Sequence, residues 1–142
     1  MTPTDVDEAR RIADEACLAG RELLDRPYSE VTRVCNGIGP SMLPGPLRDM
    51  LSWLHPSLKV VAYIHDMGYY HGDGTEADWH TRNAEFAENG CRMAKYRYCI
   101  LNPLRYKVIW DARKFSKICD TRPGWLAYLS AIAERLNRND LE

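Results

Sequence analysis

The stretch YIHDMGYYHGDG, residues 63 to 74, places His65, Asp66 and Tyr69 within one helical turn of each other and adds His71, Asp73 and three glycines. On an α-helix His65 and Tyr69 share a face with Asp66 beside the histidine, whereas a strand would send His65 and Asp66 to opposite faces. Two readings follow: acid–base chemistry built on the histidine, or a hydrogen-bonded pair that satisfies polar groups inside a core. The surroundings favour chemistry. Residues 35 to 46, CNGIGPSMLPGP, form a glycine-rich segment upstream, and Asn83 is a polar residue on the apolar stripe of the helix that follows.

The elements that must position these groups can be read from periodicity. From Leu58 the run LKVVAYIHDMGYY is apolar all round, which predicts a buried helix. Thr75 and Asp78 form a cap signal that opens the next helix, on which Trp79, Asn83, Phe86 and Gly90 share a stripe. Upstream, Thr4 with Asp7 reads as a cap, and Val6, Ala9, Ala13, Ala16, Gly20 and Leu23 step by three and four, predicting a helix over residues 4 to 26. Three glycines and three prolines make residues 35 to 46 a loop, and a small β-ribbon fits residues 28 to 34. Leu47, Met50, Leu51 and Leu54 give a short helix that stops at His55 and Pro56. Asn102 and Pro103 start a helix with Leu104, Val108, Ala112, Phe115 and Cys119 inward, and Pro123 precedes a last helix carrying Trp125, Leu129, Ile132 and Leu136. The sum is a mostly α single domain over residues 1 to 142, its C-terminal helices covering 102 to 138.

Composition narrows the function classes. With 142 residues, 45% of them hydrophobic, the chain can bury a real core. No apolar run approaches a membrane span, and the acidic start MTPTDVDEARR is unlike a signal peptide, so the expected location is the cytosol. Five cysteines without CxxC spacing suggest reduced thiols rather than a zinc knuckle or disulfide framework. Charge is uneven: residues 1 to 30 hold eight acids against four arginines, whereas residues 92 to 122 hold nine bases against Asp111 and Asp120. Those bases interleave with Tyr96, Tyr98, Tyr106 and Trp110, which suits an anionic phospholipid surface or, less well, a nucleic-acid backbone; the plain alternative is a solvated helix face.

Taken together, Cys-Asn-Gly-x-Gly at 35 to 39, His-Asp-x-x-Tyr at 65 to 69 and Asn-x-x-Phe at 83 to 86 resemble the phospholipase A2-like proteins of phages and prophages, over residues 35 to about 90. The resemblance implies a core of two antiparallel helices with a glycine-rich metal loop and additional flanking helices. It implies a calcium-dependent phospholipid ester hydrolase, in the cytosol or associated with a virion. His65 would be the general base that takes a proton from a water attacking the ester, and Tyr69 would hold the polar group that orients it. Asp66 would give carboxylate oxygens to calcium, joined by backbone carbonyls of Cys35, Gly37 and Gly39, since calcium takes six to eight oxygen ligands. Where such enzymes carry an aspartate behind the histidine, this chain holds Asn83. An amide can fix the tautomer but cannot stabilise an imidazolium by charge. Low activity follows, and so does the competing class, a phage structural or accessory protein that retains the fold without chemistry. Gly68 stands where secreted relatives place a disulfide cysteine.

Other constellations carry less. His71, Asp73, Asp78 and His80 cluster around a turn, but residues 78 and 80 do not face one way on a helix. A phosphohydrolase of the His…His-Asp…Asp type would recruit His55 from a Pro-interrupted loop. Cys35 as a nucleophile lacks a partnered base nearby in sequence.

Overall fold

The computed structural model describes residues 1–37 and 53–141, and these are mostly helical. In chain order they form α1 (Pro3–Glu15), a 3₁₀ turn (Arg21–Asp25), α2 (Tyr28–Gly37), a second 3₁₀ turn (Pro56–Leu58), α3 (Lys59–Tyr70), α4 (Glu76–Arg97), α5 (Pro103–Cys119) and α6 (Arg122–Leu141). No strand occurs among the described residues. No described helix is long and apolar enough to cross a membrane.

The two central helices follow from local sequence. Thr75 caps α4 by accepting from the Asp78 N–H at 3.1 Å, and Asn102 caps α5 by accepting from the Leu104 N–H at 3.0 Å. Leu58 meets Gly90, His65 meets Asn83 and Gly68 meets Arg82, so α3 and α4 run antiparallel. By the same test, Gly90 against Ala112, Phe86 against Phe115 and Asn83 against Ser116 make α4 and α5 antiparallel. The main core joins Val6, Leu24, Val31, Ile64, Phe86 and Val108, one from each of the first seven elements apart from the second 3₁₀ turn. A second cluster of Tyr69, Trp79, Tyr128, Ala131 and Ile132 seats α6.

Several predicted elements are corrected. The first helix is capped by Thr2 with Asp5 rather than Thr4 with Asp7, and it ends at Glu15 instead of continuing to 26. Left-handed backbone at Cys17 (φ 54°) and Gly20 (φ 79°) breaks it, and Leu23 returns in a 3₁₀ turn. The β-ribbon at 28 to 34 is α2, which continues through Cys35 to Gly37 where a loop was predicted; Val31 and Val34, buried one turn apart, give it a helical apolar face. Gly39 and most of the helix predicted at 47 to 54 lie outside the described residues. On α5, Val108, Ala112, Phe115 and Cys119 are inward but Leu104 is exposed. On α6, Leu129 and Leu136 are exposed and the buried face runs through Tyr128, Ala131 and Ile132. Tyr128 wins that face because its hydroxyl donates to Asp78 at 2.6 Å and accepts from the Gly74 N–H at 3.0 Å, which satisfies a buried phenol.

Polar clamps hold the connections. Buried Asn89 accepts from the Ala19 N–H and donates to the Ala19 carbonyl, both at 2.8 Å, fixing the turn after α1. Buried Asp111 accepts from the His55 N–H at 3.1 Å and pairs with Lys107, fixing the approach to α3.

A methyl group at Gly90 would lie 2.1 Å from Ala112 Cβ. Gly90→Ala should therefore cost about 1–3 kcal/mol of stability in urea unfolding by overpacking the α4–α5 crossing. Adding Ala112→Gly, which leaves the backbone carbon as the nearest atom of that residue at 3.6 Å, should restore most of it.

Candidate functional site

Helix α3 presents two chemically different faces. The inner face carries Val61, His65 and Tyr69 at four-residue spacing, all buried against α4, α5 and α6. His65 Nε2 lies 3.1 Å from Asn83 Oδ1, and the Tyr69 hydroxyl donates to the same oxygen at 2.6 Å. The Asn83 amino group in turn donates to Asp120 Oδ1 at 2.9 Å, just past the end of α5, and His80 Nδ1 approaches that oxygen at 2.7 Å. Ser116 donates to the Asn83 backbone carbonyl at 2.6 Å, tying the centre of α4 to α5. A chain of polar contacts thus runs from the buried histidine to a half-exposed carboxylate.

The His65 ring is only 6% exposed and packs edge-on against Phe86 and Phe115, at centroid distances of 5.3 and 5.8 Å. Burial lowers its pKa to about 4, partly offset by the Asn83 hydrogen bond and reinforced by nearby Arg82. The imidazole is neutral at pH 7, as a general base must be, but a weak base. Burial also raises the Tyr69 phenol well above its ordinary value, so it stays a donor.

The outer face carries Lys59, Ala62, Tyr63 and Asp66. With Cys35, Leu54, His55, Pro56 and Leu58 they line a half-open pocket of about 290 Å³. The Cys35 thiol donates to the Tyr63 carbonyl at 3.8 Å, joining the last turn of α2 to α3 one turn before Asp66. Asp66 keeps some exposure towards this pocket, yet burial pushes its carboxyl up to about 8. The Cys35 thiol is raised too, first by burial and then by the charge of Asp66, so it remains protonated and is no nucleophile.

The fold therefore brings His65, Tyr69 and Asn83 together and turns Asp66 to a different side of the helix, onto the pocket it shares with Cys35. Cys35 and Gly37, predicted as loop, belong to the last described turn of α2. Because burial pushes the Asp66 carboxyl up to about 8, it must give up a proton before it can serve calcium as a carboxylate. Among the described residues, no three His, Cys, Asp or Glu side chains are grouped to hold a metal. The turn residues disperse: His71 faces Glu30 at 3.3 Å, Asp73 accepts from Thr75, Asp78 accepts from Tyr128 and His80 goes to Asp120. His55 is occupied locally, its Nδ1 accepting from the Ser57 N–H at 3.1 Å.

Asp120 and Ser116 were not singled out from sequence, and His80 was weighed only with the residues clustered around the turn. Asp120 lies 37 residues from Asn83, and no periodic pattern links them. Comparisons of the chain with protein-family models, with curated proteins and with solved structures found no match.

The His65 shift has a definite sign. With the folded pKa near 4 against the usual 6.5, the unfolded chain binds a proton first as pH falls. The stability contributed by keeping the ring neutral is complete above pH 6.5 and drains away between 6.5 and 4, by about 3 kcal/mol in all. Unfolding free energies measured across that window should fall more steeply for the wild type than for His65→Gln. Equal slopes would show that the ring is not held neutral by burial.

Proposed function

We propose that the chain is a phospholipase A2-like, calcium-dependent hydrolase of phospholipid esters, of phage or prophage origin and of low intrinsic activity. The observation that supports this best is the shared Asn83 carbonyl, which takes both His65 Nε2 and the Tyr69 hydroxyl. In this reading His65 removes a proton from a water that attacks the ester carbonyl, then returns a proton to the departing alcohol, leaving a fatty acid and a lysophospholipid. Tyr69 and Asn83 keep the ring from rotating between these steps. Asp66, with carbonyls of Cys35, Gly37 and Gly39, would hold the cation. Bound there, calcium would polarise the ester carbonyl and stabilise the developing oxyanion.

A second reading, a structural or accessory phage protein that retains the fold without the chemistry, is favoured by one observation. His65 is nearly enclosed by Phe86, Phe115 and Tyr69, which leaves little room for a substrate carbonyl. The two are separated by assay. The hydrolase reading expects fatty-acid release from mixed-chain phospholipid vesicles that stops with chelator and falls at least a hundredfold in His65→Gln, since a general base is worth 10²–10⁴. Absent release supports the structural reading, and release that is unchanged in His65→Gln removes His65 as the base.

The partner in this proposal is an anionic phospholipid surface, met by the outer face of α5. Tyr106, Lys107, Trp110, Arg113, Lys114 and Lys117 recur there at spacings of three and four. Trp110 is 67% exposed, and Leu101, in the turn before α5, is 88% exposed. Aromatic rings among cations on one helical face fit a headgroup layer, with apolar side chains entering the acyl boundary. Charge reversal at two cations, Arg113→Glu with Lys114→Glu, should weaken binding to vesicles containing phosphatidylserine by roughly 2 kcal/mol, on the order of 30-fold. The wild-type affinity should fall with added salt. Tight DNA binding with none to vesicles would reassign the face to nucleic acid.

A further inference from the structure

We infer that Asp120 is a positioning residue that acts through Asn83 to hold His65 in one tautomer, with its proton on Nε2 and Nδ1 left as the base nitrogen. As a functional role this rests on the hydrolase reading; as a statement about the ring it does not.

The inference comes from donor and acceptor logic. A carboxylate only accepts hydrogen bonds, so the atom that Asn83 presents to Asp120 must be its amino nitrogen, seen at 2.9 Å. That choice sends Asn83 Oδ1 to the interior, where it meets Tyr69 at 2.6 Å and His65 Nε2 at 3.1 Å. An amide oxygen has no proton to give, so His65 Nε2 must carry one. A neutral imidazole has one N–H, which leaves Nδ1 with its lone pair. Each assignment forces the next, and Asp120 is where the sequence starts. Without it Asn83 could rotate its amide, offer N–H to His65, and move the imidazole proton to Nδ1.

The same geometry gives a reason for asparagine at position 83. An aspartate there would put two carboxylate oxygens where the amino group now meets Asp120 at 2.9 Å, and like charges at that range oppose each other. The negative charge expected behind the histidine lies one residue further out, on Asp120, and reaches the ring through an amide. Replacing Asn83 alone is thus expected to damage the protein, whereas exchanging the two side chains should be tolerated. His80 fits the scheme, since its Nδ1 at 2.7 Å from Asp120 must be a donor too.

The test is the ring ¹⁵N spectrum of His65 at neutral pH, assigned by comparison with His65→Gln, without calcium or lipid. The wild type should show a protonated Nε2 and an unprotonated Nδ1. Asp120→Ala should shift the ring resonances towards the other tautomer, while Asp120→Asn, which still offers an oxygen to Asn83, should hold the wild-type pattern. Should Asp120→Ala fail to fold, the exchange series decides: Asn83→Asp should lower the melting temperature, and Asn83→Asp with Asp120→Asn should recover it. A wild-type ring protonated on Nδ1, an unshifted Asp120→Ala, or an Asn83→Asp as stable as the exchanged pair would each overturn the inference. Because no turnover is read, a protein without hydrolase activity can still pass, and an active one can still fail.

Discussion

A buried imidazole and a buried phenol on one face of α3 require polar partners, and Asn83 supplies a single carbonyl oxygen to both. Leaving either donor unmet in the interior would cost about 1–3 kcal/mol. The contact therefore fixes more than two side chains. It sets the rotation of α4 against α3, because only one residue on the Trp79, Asn83, Phe86 stripe can reach His65 and Tyr69 together. Ser116 on α5 grips the backbone of the same residue, and Trp79 on α4 donates to the Cys119 carbonyl at 3.1 Å, so α5 is held from the same centre. Helix α6 then closes the cluster by laying Tyr128 edge-on against Tyr69, 5.2 Å between ring centroids.

The second constraint is the helical step between His65 and Asp66. Adjacent residues on a helix diverge by about 100°, so a histidine committed to the interior sends its neighbour to a different surface. Here that surface is the pocket shared with Cys35 and the end of α2. A base and a hard-oxygen donor can thus serve one substrate from neighbouring positions only if the pocket reaches round to His65. The enclosure of the ring by Phe86 and Phe115 makes that access the point on which hydrolase and structural protein differ.

The central hairpin was legible in sequence because its signals are local and agree. Thr75 and Asn102 cap as their types predict, and the unbroken apolar run from Leu58 marks a buried helix. Asn83 stood out as a polar residue on an apolar stripe, which is what a buried network looks like in one dimension. Elsewhere local signals competed. The apolar series through Gly20 and Leu23 suggested one long first helix, but left-handed Cys17 and Gly20 divide it. Residues 28 to 34 fit a β-ribbon until buried Val31 and Val34 are seen to lie one helical turn apart. On the last helix several large apolar residues lie on different faces, and Tyr128 is chosen by hydrogen bonds to Asp78 and Gly74, distant in sequence. Asp120 was illegible for the same reason: its role exists only once α4 and α5 are packed.

The claim on which the functional account turns is that Asp66 and the end of α2 form a cation site, and calorimetry with calcium tests it most directly. The account predicts saturable binding of one calcium ion to the wild type, with a melting temperature that rises as the ion is added, since a ligand at 100 times its Kd adds about 2.7 kcal/mol to a fold that alone can bind it. Asp66→Asn should bind none and show no rise. An unchanged wild-type melting temperature at millimolar calcium, or an equal rise in Asp66→Asn, would contradict the account.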